Sequence, residues 1–100
     1  MALQIKENKG VFEVLGKIGS HNAFFLKKHL EFLIDSNEST IVSLEKVSDM
    51  DSASAHLLEQ IYMKAVRGNK ILAFIGEQNK NIMKVMTTTR TRYILSHDRV

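Results

Sequence analysis

The sequence predicts an α/β fold: a mixed, mostly parallel sheet of four or five strands with helices packed on it, in the order ββαβαβαβ. Three observations lead there. Short apolar or β-branched runs alternate with stretches of helical periodicity, a pattern that requires right-handed crossovers and parallel strands. The first two runs are separated only by a tight-turn signal, so the sheet opens with an antiparallel hairpin. The chain has 100 residues, 44% hydrophobic and 25% charged, which suits one core and a single domain over residues 1–100.

Leu3 to Glu7 sets Leu3, Ile5 and Glu7 against Gln4 and Lys6, the two-residue period of a half-buried strand. Asn8-Lys9-Gly10 turns the chain, and Val11 to Ile18 returns as the second strand. Gly19-Ser20 ends it, with Ser20 or Asn22 available to cap a helix over His21 to Ser36. Ala23, Leu26, Leu30, Leu33 and Ile34 form the apolar stripe of that helix. After a polar connector, Thr40 to Leu44 reads as an interior strand and Glu45 to Asp51 as an acidic loop. A second helix runs from about Ser52 to Arg67, buries Leu58, Ile61 and Ala65, and stops at Gly68-Asn69. Lys70 to Ile75, the most apolar segment, is the central buried strand. A shorter helix over Asn79 to Thr88 turns Ile82, Val85 and Met86 inward, and Tyr93 to Leu95 is a final short strand before a polar tail.

Composition removes several classes of function. There is no cysteine, so disulfides, thiolate catalysis and cysteine-ligated metals are excluded. His21, His29, His56 and His97 lack metal-ligand spacing, so no metal site and no cofactor are expected. No apolar run is long enough to enter a bilayer, and Met1 to Lys6 lacks the layout of a signal peptide, so the expectation is a cytoplasmic protein without membrane insertion. A net charge of +3 is a mild excess, concentrated only at Arg90, Arg92 and Arg99 and without interleaved aromatics, which argues against nucleic acid. No Gly-x-Ser-x-Gly elbow or phosphate-cradling glycine loop is present, so no enzyme is expected, although Ser52 and His56 lie one helical turn apart.

The informative stretch is Asp49-Met50-Asp51-Ser52-Ala53-Ser54, which carries the chain from strand to helix. Ser52 has two readings. It is a helix N-cap, its hydroxyl accepting from an orphan N–H. Alternatively it is a phosphorylation site, where the helix would tolerate the added charge and a docked partner would not. Glu45, Asp49 and Asp51 already make this region negative.

Met50-Asp51-Ser52-Ala53-Ser54 followed by Leu57 and Leu58 resembles the Asp-Ser-Ser-Gly signature of STAS domains, the family of anti-sigma-factor antagonists. Gly16 to Ala23 is similar to the Gly-x-Leu-Asp-x-x-Asn-Ala motif that opens the family's first helix. The element order and length fit over nearly the whole chain. The resemblance implies a protein that binds a partner-switching anti-sigma factor, usually a GHKL-type serine kinase. The kinase phosphorylates the serine, here Ser52, and a phosphatase restores it. Asp49, Met50, Asp51, Ser52, Ala53, Ser54, Ser20 and Asn22 become the expected partner-binding set, with Ser54 the alternative acceptor. The chain departs from the pattern where Ser43 replaces the family's strand-end Asp and Ala53-Ser54 replaces Ser-Gly. STAS domains also serve as scaffolds in stress-signalling assemblies and beside transporter ATPases, the alternative reading here.

Phe25 and Phe32 fall opposite the apolar stripe of the first helix, with His29 between them. Either they form an aromatic interface, for a partner or for a weak homodimer, or this helix is buried more widely than one stripe, or the chain's C-terminal segment covers them.

Overall fold

The structure, a computed structural model, describes residues 3–96. His97 and Arg99, named above, lie outside the described residues. Its elements are β1 (Gln4–Asn8), β2 (Val11–Ile18), α1 (Ala23–Ser36), β3 (Ser39–Met50), α2 (Ser52–Arg67), β4 (Ile71–Ile75), α3 (Lys80–Thr88) and a 3₁₀ turn over Arg92–Ile94. The sheet has four strands in the order β1-β2-β3-β4, with the first pair antiparallel and the next two parallel.

The hairpin follows from its turn. Lys9 and Gly10 both take positive φ, 55° and 84°, and they alone separate the paired residues Asn8 and Val11. A two-residue turn of this handedness matches the twist of the strands it joins. Strands β2, β3 and β4 then place Val14, Ile18, Val42, Leu44, Val47, Leu72 and Phe74 under the helices. Leu26, Leu30 and Ile34 of α1, Leu58, Ile61 and Ala65 of α2, and Ile82 and Met86 of α3 close the core from the other side. A shared carboxylate ties α1 to α2: Glu31 lies 3.1 Å from Lys27 and 3.3 Å from Lys64.

Lys70 to Ile75 is not the central strand its apolar run predicts: β4 ends the sheet order beside β3, and of its residues Leu72 and Phe74 are buried while Ile71 is exposed. Two further expectations need correction. The acidic loop expected over 45–51 is strand as far as Met50, where β3 ends. Its inward residues are Thr40, Val42, Leu44, Val47 and Met50, so the period of two stretches to three after Leu44. The register shows why: β3 gains one residue on β2 between the Glu13 and Leu15 pairings and another between those of Gly16 and Lys17. These are β-bulges, and each moves the inward face along by one residue. Asn79 supports the first bulge from α3, its buried Nδ2 donating to the carbonyls of Leu44 and Val47 at 2.8 Å each.

The expected final strand over Tyr93–Leu95 is the second correction. Arg92–Ile94 forms a single 3₁₀ turn. Only Leu95 reaches the sheet, through an isolated parallel bridge to Phe74, and the Ser96 N–H donates to the Phe74 carbonyl at 2.7 Å. Ile94 and Leu95 are both buried, so the apolar signal was real. It marks a plug over the β4 edge, too short to make a ladder.

Candidate functional site

The site forms where β3 hands over to α2. One residue, Asp51, separates the two elements. Its backbone is extended (φ −94°, ψ 171°), and its carboxylate accepts from the Ser54 N–H at 2.8 Å. Asp51 is therefore the N-cap of α2, and capping by Ser52 is overturned. Ser52 occupies the first helical position, where its exposed hydroxyl is not needed by the fold.

The Asp51 carboxyl is held below the usual carboxylate range. The Ser54 hydroxyl is the largest cause, with burial opposing it and the backbone N–H groups of Ser54, Ser20 and Asp51 itself adding to it. Ser54 Oγ is buried and has no hydrogen-bond partner among the described residues, so it acts as a nearby dipole rather than as a bonded donor. The Ser20 N–H comes from the turn between β2 and α1, so the field of that turn, as well as the start of α2, acts on this carboxylate. Gly19 lies against both: a side chain there would meet the His21 ring at 3.3 Å and Asp51 Oδ2 at 3.7 Å. His21, which the sequence reading passed over, thus flanks the site and is exposed.

The residues named from sequence divide in two. Asp49, Asp51, Ser52, Ala53 and Ser20 are exposed and share one end of the sheet. Met50 and Ser54 are corrections: Met50 is 2% exposed and Ser54 1%, so neither side chain can meet a partner, and Ser54 is not a reachable acceptor. Asn22 holds the turn. Its Oδ1 accepts from the Gly19 N–H at 3.0 Å and its Nδ2 donates to the Lys17 carbonyl at 2.9 Å. Asp49 Oδ1 accepts from the Met50 N–H at 2.9 Å. Glu45 points elsewhere, accepting from the Gln78 N–H at 3.3 Å.

Ser43 lies within β3, 8% exposed, where its Oγ accepts from the Glu45 N–H at 3.3 Å. The His56 ring is paired with Glu59 at 3.4 Å, and Glu59 also accepts from the Tyr93 hydroxyl at 2.5 Å. No hydrogen bond joins Ser52 to His56 among the described residues, and the ring is turned to Glu59. Among the described residues, no cluster of three or more His, Cys, Asp or Glu side chains could hold a metal ion, and no helix is long and apolar enough to cross a membrane.

The Asp51 cap gives a pH-dependent prediction. A carboxyl depressed by folding adds stability above its unfolded pKa of about 3.9, which is lost as pH falls through the folded value. Asp51→Ala should cost about 1 kcal/mol at neutral pH, and Asp51→Asn, which keeps an acceptor, much less. Urea melts at pH 7 and pH 3 test this: the gap between wild type and the alanine variant should close in acid.

A family model described as the STAS domain matches residues 1–90. No curated protein sequence matches the chain. Among solved structures, an anti-sigma factor antagonist from Mycobacterium paratuberculosis is similar with a TM-score of 0.74 at 16% identity, covering 94% of this chain and 81% of that one. The anti-sigma factor antagonist SpoIIAA in its unphosphorylated form is similar with a TM-score of 0.70 at 14% identity, covering 95% of this chain and 86% of that one. At these identities the likeness is one of fold: the same mixed four-stranded sheet with helices against it.

Proposed function

The chain belongs to the STAS domain family, and from that premise we propose that it is a regulatory protein-binding domain of the anti-sigma-factor-antagonist type, released from its partner by phosphorylation of Ser52. The partner is a partner-switching anti-sigma factor of the GHKL-type serine kinase class, and a phosphatase resets the cycle. The domain works in the cytoplasm on transcription, as a ligand for other proteins and not as a catalyst.

One observation carries this reading: the Ser52 hydroxyl is exposed at the first position of α2, while Asp51 performs the capping. A phosphate there would bring about −1.5 to −2 charges without removing any contact the fold uses. It would sit beside Asp51 and near Asp49, on a surface where added negative charge repels an acidic partner face and must be desolvated against an apolar one.

The second reading, a non-phosphorylated STAS scaffold or adaptor using the same surface, draws on the departures. Ser43 supplies no acid where the family pattern has one, and Ser54 puts a buried side chain where that pattern has glycine.

Titration calorimetry against GHKL-type kinases encoded in the same genome separates the two. Ser52→Asp should weaken binding about 100-fold, since like charges facing across an interface cost several kcal/mol. Its circular dichroism should remain that of wild type, and Ser52→Ala should bind whether or not ATP is present. A Ser52→Asp protein that binds as tightly as wild type would remove the switch and leave the scaffold. Intact mass of protein from its native host shows whether Ser52 ever carries a phosphate.

A further inference from the structure

Three of the five phenylalanines are exposed on one helix. Phe24, Phe25 and Phe32 of α1 are 67%, 57% and 69% exposed. Phe24, Lys28, Phe32 and Asp35 follow one another at spacings of four, four and three, so they stack along one side of the helix. Leu26, Leu30 and Ile34, the buried residues of α1, occupy the opposite side. The aromatic face therefore points directly away from the core, and among the described residues none covers it. It is not part of the Ser52 surface: it runs along α1 for two turns beyond the β2–α1 turn.

We propose that this face is a weak, two-fold symmetric interface between two copies of the chain, with the α1 helices antiparallel and Phe24 and Phe25 of each packed on Phe32 of the other. The spacing is self-complementary. Phe25 and Phe32 lie symmetrically about a point between Lys28 and His29, so a two-fold axis there lays each aromatic cluster on its counterpart, as an isologous contact requires.

The charges agree with that direction. α1 carries no acidic residue in its first turn and no basic residue in its last, an arrangement opposite to what its own dipole favours. On the outward face Lys28 precedes the centre of the helix, whereas Asp35 follows it and Glu38 stands just past its end; Lys27 and Glu31 are paired with each other and with Lys64 towards α2 and take no part. Antiparallel pairing puts the acidic end of each helix against the positive end of the other. The Lys28 ammonium is drawn back over the Phe24 ring, 5.6 Å from its centroid. It is thereby displaced from the symmetry axis, where two lysines would repel, and moved towards the end that faces the second copy's Asp35.

The size of the face sets the strength. Three phenylalanines at these exposures offer roughly 400 Å² per chain, against about 800 Å² per partner in a standard interface. The dimer is thus a weak one, with a Kd of the order of 10⁻⁴ M.

Sedimentation velocity from roughly 10 µM to 1 mM spans that range. The wild type should move from monomer to dimer, and Phe32→Ser should weaken association about tenfold or more with its thermal midpoint little changed, because the residue is exposed. The absence of native cysteine permits a geometric test. Lys28→Cys, beside the axis, should oxidise to a covalent dimer, whereas Ser36→Cys, at the helix end, should not. A wild type that stays monomeric at 1 mM overturns the proposal, as does cross-linking of Ser36→Cys as readily as Lys28→Cys. Loss of kinase binding by Phe32→Ser in a chain that never self-associates would assign the face to that partner instead, and would overturn it too.

Discussion

Replacing Phe74 by alanine is expected to cost 3–5 kcal/mol, roughly the range for truncating a buried aromatic. Phe74 has no exposed surface and is the penultimate residue of β4, paired in register with Val42 of β3. Its backbone also bridges Leu95, so the ring anchors both the sheet and the plug that closes its edge. A domain of this size is stabilised by about 5–15 kcal/mol in all. At about 4–8 °C per kcal/mol, the thermal midpoint should therefore fall by roughly 12–40 °C. Phe74→Leu, which leaves a smaller void, should lose well under half as much. Calorimetry of the three proteins checks the order, and a loss below about 1 kcal/mol for the alanine variant would mean that the core refills the space.

Asn79→Ala should be the next most damaging change, at about 3 kcal/mol. The side chain does three things at once. Its Nδ2 donates to the Leu44 and Val47 carbonyls, and its Oδ1 caps α3 by accepting from the Asn81 N–H at 3.0 Å. Truncation leaves two buried carbonyls of the first β3 bulge without a donor, which costs more than the bonds themselves contributed. Asn79→Asp tests the division of labour. It keeps the cap acceptor but turns an oxygen towards the two carbonyls, so it should be no better tolerated than alanine. Urea midpoints report the losses, with an unchanged slope showing that the folded state is otherwise the same.

Much of this architecture was legible in the sequence because local signals and packing agree. The hairpin turn, the stripe of α1 and the limits of α2 at Ser52 and Gly68 all behave as their periodicities require; the run from Ile71 to Ile75 is a strand, but at the edge of the sheet and not at its centre. The reading failed where periodicity itself is interrupted. Beyond Leu44, strand β3 keeps its ladder but shifts its inward face by one residue at each bulge, so Val47 and Met50 look like scattered apolar residues of a loop. A buried asparagine thirty residues later is what makes the first bulge tolerable, and no local window contains both. At the C-terminus, Tyr93 to Leu95 has strand composition, but only Leu95 meets a neighbouring strand.

The site was half legible. Aspartate and serine are both preferred caps, and the helix start alone does not choose between Asp51 and Ser52. Geometry decides: the extended residue is the one immediately after the strand, and that is Asp51. Met50 and Ser54 were misplaced as surface residues because motif resemblance assigns a stretch of chain, whereas burial is decided residue by residue. Phe24 was missed since it sits beside, and not along, the spacing that links Phe25 to Phe32. The structure places it on the same outward side of α1.

The one-residue junction between β3 and α2 means that Ser52 has no slack. A serine on a long loop can be drawn into an enzyme's cleft as an extended peptide; this one is fixed to a sheet on one side and to a rigid rod on the other. Any macromolecule that reads Ser52 must accept the whole folded corner of the domain, so a synthetic peptide copied from this stretch lacks the shape to be recognised.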